Sequence, residues 1–139
     1  MLCIDGILII VIKNSMKIKS VEFKNIASYG NRVQVIDFEE EKSNLYLILG
    51  GNGSGKSTVA KVITYLCYGK VEGASLKDLP NRVNGNLWGK IWLESKGNAL
   101  EIERGIDPGI FTVKINGEDY DVAAKANLQD FLETEIYEI

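Results

Sequence analysis

The stretch Gly50-Gly51-Asn52-Gly53-Ser54-Gly55-Lys56-Ser57-Thr58 constrains this chain more than any other. It satisfies the spacing of a phosphate-binding loop, G-x-x-x-x-G-K-[ST]. Glycines let the backbone turn tightly and aim successive N–H groups at one point. The helix that such a loop opens into adds unpaired N–H groups and a dipole that favours an anion. In that arrangement Lys56 reaches the β- and γ-phosphates, and the Ser57 hydroxyl is placed to ligate Mg²⁺. The flanks have the required character. Leu45–Leu49 (LYLIL) is a continuous apolar run, as in a strand covered on both faces. After the loop, Val59, Val62, Ile63, Leu66 and Cys67 fall on one helical face, and Gly69 sits where a helix ends. The predicted ligand is a nucleoside triphosphate, ATP with Mg²⁺. Gly50, Asn52, Gly53, Ser54, Gly55, Lys56, Ser57 and Thr58 are the binding residues and Ser57 the metal contact.

Around this unit the chain reads as a single α/β domain. Residues 17–24 and 32–38 have strand character and are joined by a turn over 25–31. The segment from 70 to 86 is loop-like. Leu87–Glu94, Leu100–Arg104, Phe111–Ile115 and Glu118–Val122 then read as an antiparallel meander. Its turns are Lys96-Gly97-Asn98, Asp107-Pro108-Gly109 and Asn116-Gly117, the last a strong hairpin signal. A closing helix is predicted with Asn127 as its N-cap and Leu128, Phe131, Leu132 and Ile136 as its apolar stripe. Residues 1–15 are set apart as an N-terminal extension. Their apolar run Ile7–Ile12 is far below the ~20 residues a membrane-spanning helix needs, and it lacks the flanks of a signal peptide. No membrane partner is expected.

Composition removes several alternatives. With no histidine among 139 residues, histidine-based triads, metal sites and general bases are excluded. Two distant cysteines, Cys3 and Cys67, make neither a disulfide framework nor a zinc site, and point to a reducing, cytoplasmic setting. The net charge of −3 argues against bulk electrostatic attachment to nucleic acid, although lysines gather on 17–24 as Lys17, Lys19 and Lys24. Hydrolysis requires a carboxylate at the end of a strand after the loop. Asp37 precedes the loop and reads as a surface acid; Glu94, Glu101 and Glu103 read as solvent-facing. The sequence identifies no catalytic residue.

The loop form G-x-N-G-S-G-K-S-T, the lead-in Lys17–Gly30 (KIKSVEFKNIASYG) and the helix end Tyr65–Lys70 (YLCYGK) together resemble the N-terminal ATPase segment of SMC-like DNA-repair proteins. The resemblance is strongest to the branch whose T-even-type phage members serve a recombination endonuclease, and covers the chain from Met16 onward. It implies the N-terminal lobe of an ABC-type head over residues 16–139, with a mixed sheet, an antiparallel β-meander and flanking helices. In that family a C-terminal lobe, absent from this sequence, supplies the signature motif and the acidic strand. Two heads close over two ATP molecules and bind DNA, and a metallophosphoesterase nuclease is the partner. The resemblance therefore implies ATP binding here, with hydrolysis, head-to-head dimerisation and DNA binding in the full assembly. It also aligns Asn25, Ser28 and Tyr29 with a turn near the nucleotide, and Lys17, Lys19 and Lys24 with a strand that could face DNA. A free-standing nucleotide-binding assembly partner and a P-loop small-molecule kinase are the competing readings. The kinase is disfavoured because two strands precede the loop and a meander follows it.

Overall fold

A computed structural model describes residues 2–4, 7–11, 16–27, 29–38, 45–49, 56–71, 76–120 and 125–133. Its strands are β1 (Leu2–Ile4), β2 (Ile7–Val11), β3 (Met16–Lys24), β4 (Gln34–Asp37) and β5 (Leu45–Leu49). Helix α1 (Lys56–Tyr68) and a single 3₁₀ turn (Leu76–Asp78) follow. The chain continues as β6 (Leu87–Ser95), β7 (Asn98–Ile106), β8 (Ile110–Ile115), β9 (Glu118–Asp119) and α2 (Lys125–Phe131).

Six strands form one antiparallel sheet in the order β4-β3-β6-β7-β8-β9. The period-2 alternation of β6 explains its two faces: Leu87, Ile91 and Leu93 are buried, while Trp88, Lys90, Trp92 and Glu94 point the other way. Ile18, Val21 and Phe23 of β3 and Leu100 and Ile102 of β7 complete the inward face. Helix α1 packs on β6 and β7. The five residues predicted for its apolar face, Val59, Val62, Ile63, Leu66 and Cys67, are all buried in the same core. Leu128 of α2 and Leu132, just past its end, belong to the same core.

The turns follow from local chemistry. Lys96-Gly97 joins β6 to β7 and Asn116-Gly117 joins β8 to β9, both residues of each pair having positive φ, as tight two-residue hairpins require. A bulge at Lys19 shifts the β3–β6 register between Ile18 and Ser20.

Two sequence expectations are adjusted. The strand expected over 32–38 is shorter, Gln34–Asp37, because the chain bends at Asn31 and Arg32 just before it. Helix α2 begins at Lys125, so Asn127 is inside it and is not its N-cap. Lys125 and Ala126 are good helix formers and carry the first turn upstream. Ile136 lies outside the described residues.

A second sheet, of three antiparallel strands in the order β1-β2-β5, contains the strand that leads into the glycine-rich loop. The N-terminal segment expected to stand apart is paired there: Ile7 is opposite Leu49, Ile9 opposite Leu47 and Val11 opposite Leu45. All strand pairings among the described residues are antiparallel, so the mixed character expected of the sheet has no parallel pair behind it in these segments.

Candidate nucleotide site

The frame of the site is β5, ending at Leu49, and α1, beginning at Lys56. Gly50, Asn52, Gly53, Ser54 and Gly55 fall between them, outside the described residues. Lys56 and Ser57 form the first positions of α1 and Thr58 is buried behind them. The first turn of α1 contains no acidic side chain. A carboxylate there would help satisfy the free N–H groups and the dipole. Its absence, with a lysine at the first position, leaves this helix end suited to an anion from outside the chain. The hydroxyl of Ser57 is a hard oxygen donor of the kind Mg²⁺ takes. Among the described residues no group of three His, Cys, Asp or Glu side chains could hold a metal.

The opposite end of α1 is closed by the protein itself. Arg104 of β7 is only 7% exposed, and its Nε donates to the Leu66 carbonyl at 2.8 Å. Its terminal nitrogen donates to Gln129 Oε1. Gln129 Nε2 in turn donates to the Cys67 carbonyl at 3.1 Å. The guanidinium lies 3.7 Å from the centre of the Phe111 ring. Two of the last carbonyls of α1 are thereby satisfied, and α1, β7 and α2 are tied at one point. Burial raises the Tyr65 phenol above its ordinary pKa, partly offset by the Arg104 charge. Tyr68 is raised too, first by burial, with Cys67 and Glu133 adding to it.

Sequence reasoning did not find Arg104. The signal was present in the strand alternation, because Arg104 shares the inward face with Leu100 and Ile102. A charged residue at an inward register position needs partners within the fold.

The turn after β3 is also explained. Asn25 is fully buried, with φ of 55°. Its Nδ2 donates to Asn31 Oδ1 at 3.0 Å and to the Asn86 carbonyl at 3.1 Å, and its Oδ1 accepts from Asn84 Nδ2 at 3.0 Å. Asn81 donates to the Ala27 and Tyr29 carbonyls at 3.0 and 3.2 Å and accepts from the Val83 and Asn84 amides. These asparagines bind the turn to the segment 79–86, which the sequence reading left as an undistinguished loop. Asn25 therefore works as a turn residue, its amide committed inside the protein. Tyr29 packs edge-on against Phe23 at 5.1 Å. Ser28 lies outside the described residues.

Lys17, Lys19 and Lys24 are on the face of β3 that points away from the core. Lys19 pairs with Glu94 at 2.7 Å, which holds the Glu94 carboxyl below its usual value. Glu101 is engaged by Lys90 at 3.6 Å. Asp37 is exposed on the edge strand.

An apolar strand, a glycine-rich sequence and a helix opening on Lys-Ser, followed by an antiparallel meander, are the parts of a P-loop nucleotide-binding fold in their usual order. Solved structures share that fold. A structure of the recombination mediator RecF with ATP matches with a TM-score of 0.56 at 19% identity, over 80% of this chain and 30% of that one. A structure from work on ATP-driven dimerisation and DNA-stimulated activation of SMC ATPases matches at 0.54 and 23% identity, over 84% of this chain and 77% of that one. Residues 20–133 match the AAA domain family, and the chain belongs to it. Among curated proteins it is 34% identical to exonuclease subunit 2 of Enterobacteria phage T4 over 107 residues, 74% of this chain and 18% of that protein. It is 32% identical to exonuclease subunit 2 of Escherichia phage RB69 over 123 residues, 86% of this chain and 21% of that protein. The chain thus spans about a fifth of the length of these relatives.

Proposed function

We propose that this chain is the ATP-binding N-terminal lobe of a DNA repair and recombination ATPase that serves a nuclease complex. The observation that carries the reading is the β5–loop–α1 unit, whose helix opens on Lys56-Ser57 with no acidic side chain in its first turn. The triphosphate lies along the N–H groups of Gly50 to Gly55 and of the first turn of α1. Lys56 neutralises the β- and γ-phosphates, and Ser57 contributes one oxygen to the Mg²⁺ that accompanies ATP. Asn52, Ser54 and Thr58 complete the loop. The metal would supply charge neutralisation between the phosphates.

The first turn of α1 has no carboxylate of its own, and no acidic residue ending a strand after the loop is recognised in the sequence. Hydrolysis is therefore assigned to an assembly in which a C-terminal lobe of the same ATPase type adds the acidic strand and signature motif. Head-to-head dimerisation, DNA binding and pairing with a metallophosphoesterase nuclease belong to that same assembly. Support comes from the relatives named as exonuclease subunits and from the SMC and RecF folds. The expected setting is the cytoplasm, the host's for a phage-encoded chain. Among the described residues no helix is long and apolar enough to cross a membrane.

Residues 16–139 are kept as the lobe and 1–15 as an extension attached to it, β2 pairing with β5 and packing on α1 while no strand of the six-stranded sheet pairs with β1 or β2. A chain starting at Met16 is expected to keep the six-stranded sheet and α1 by circular dichroism and hydrogen exchange.

The decisive experiment is titration with a fluorescent ATP analogue, with and without Mg²⁺. Lys56→Ala is expected to weaken binding by about a hundredfold or more, the scale of losing a charge-assisted phosphate contact. Its unfolding midpoint should stay unchanged. Equal affinity in the two proteins would overturn the assignment. Hydrolysis by the purified chain alone would overturn the need for a second lobe.

A further inference from the structure

The two segments that flank the glycine-rich sequence are anchored in different parts of the fold. Helix α1 packs on β6 and β7, and its apolar face lies in the core of the six-stranded sheet. Strand β5 belongs to the other sheet, at the end of the order β1-β2-β5. Between Leu49 and Lys56 the chain is rich in glycine, at Gly50, Gly51, Gly53 and Gly55. Such a segment imposes little conformation of its own, so its course depends on where its two ends are fixed.

One strand meets both flanks. Over its whole length β2 pairs with β5, from Ile7 opposite Leu49 to Val11 opposite Leu45. The same strand lies against α1. On its other edge β1 backs it, with Leu2 opposite Ile9 and Ile4 opposite Ile7. Among the described residues β5 has no strand partner besides β2. The sequence of β2 suits that task, because Ile7, Ile9, Ile10 and Val11 are β-branched and favour the extended backbone. Two strands alone are marginal in water, whereas three with a helix against them make a stable unit.

We infer that the β1–β2 pair is a positioning element for the nucleotide site: it fixes β5 relative to α1, and so sets the ends between which the phosphate loop is strung. The inference rests on the reading of Gly50 to Thr58 as that loop. With β2 in place, the ordering of β5 is completed on folding. Without it, the same ordering is charged to ATP binding, and affinity falls accordingly. ATP affinity thus depends on residues 2–11 without any of them having to touch the nucleotide. Coupling of this kind is reciprocal. What β2 adds to the affinity for ATP, bound ATP adds to the protection of β2.

The test uses the full chain, Ile9→Pro, Ile9→Val and a chain starting at Met16, each titrated with a fluorescent ATP analogue and Mg²⁺. Proline at position 9, in the middle of the central strand of this sheet, removes a ladder hydrogen bond. Ile9→Pro and the Met16 chain are expected to bind about tenfold more weakly, and Ile9→Val to bind as the parent does. Amide exchange in β6 and β7 should be unaltered in all four, which separates positioning of the site from general stability. In the parent, ATP with Mg²⁺ should slow exchange of the Ile7–Val11 amides by a similar factor, and Lys56→Ala should abolish that slowing. Parent affinity in both folded hairpin variants overturns the inference and leaves the nucleotide reading intact. So does ATP binding that leaves exchange in β2 unchanged. Loss of β6 and β7 protection in both variants overturns it as well, because the hairpin would then be a support of the whole lobe. A parent that binds no ATP overturns the nucleotide reading and this inference with it.

Discussion

Helix α1 begins on Lys56, with no carboxylate in its first turn, and ends under Arg104, which donates to the Leu66 carbonyl and, through Gln129, secures the Cys67 carbonyl. Both ends of any helix expose unpaired backbone groups, N–H at one and C=O at the other. Here the carboxyl end is satisfied inside the fold by a buried cation, and the amino end is the one proposed to take a ligand. The contrast separates stability from binding along one element thirteen residues long. Damage at the carboxyl end should be felt as lost folding free energy. Damage at the amino end should be felt as lost affinity, and Lys56→Ala is its test.

The largest stability effect is expected for Arg104→Leu. The replacement keeps apolar bulk but strands the Leu66 carbonyl and the Gln129 amide among buried groups. Leaving such acceptors unsatisfied costs about 3 kcal/mol in all, measured by urea unfolding with the slope unchanged. ATP affinity of the folded fraction should match the parent. A variant that kept its stability but lost ATP binding would break the division between the two ends.

The two ends also differ in how far the sequence discloses them. For the amino end the sequence is explicit, because phosphate binding demands particular residues at fixed spacing and Gly50 to Thr58 have them in local order, while the structure describes only the strand before them and the helix from Lys56. The apolar face of α1 and the Asn116-Gly117 hairpin were legible for the same reason, being set by neighbours in sequence. Arg104 acts across 38 positions on Leu66, and Asn25 across 59 on Asn84. Neither pairing leaves a local pattern. Only the inward register of Arg104, and the density of asparagines over 81–86, hinted that polar groups would be held inside. The pairing of Ile7–Val11 with the strand before the loop was hidden too, since an apolar run of that length fits many partners.

A smaller effect at the same end sharpens the assignment to Arg104. Gly69 follows the last turn with φ of +72°, and its N–H donates to the Tyr65 carbonyl at 2.8 Å. An added Cβ would stand 3.0 Å from a terminal nitrogen of Arg104. Gly69→Ala is therefore expected to cost about 1 to 2 kcal/mol, from the left-handed backbone and the displaced guanidinium. In the Arg104→Leu background the steric part should vanish, so the two changes together should cost less than their sum. Strict additivity would show that the glycine is needed for backbone conformation alone.

The smallest expected effect is on the alkaline side. Tyr65 and Tyr68 lie in the last turns of α1, and burial raises both phenols above the ordinary value of 10.0. A raised folded pKa means that the native state holds its protons more tightly than the unfolded chain does. Their contribution is therefore fully present below about pH 10 and is lost as pH rises from there through the folded values. Thermal midpoints should be insensitive to these groups between pH 7 and 9 and should decline above 10. The part of the tyrosinate absorbance that Tyr65→Phe removes should appear in step with unfolding and not before it. Tyr65→Phe should make the alkaline decline shallower, because a phenyl ring has no proton to lose, and Tyr68→Phe should do so less, its hydroxyl being nearer solvent. ATP affinity of the folded protein should not follow these phenols, since they are three turns from Lys56. An alkaline loss of ATP binding that preceded unfolding, and that Tyr65→Phe removed, would mean that the closed end of α1 reaches its open end after all.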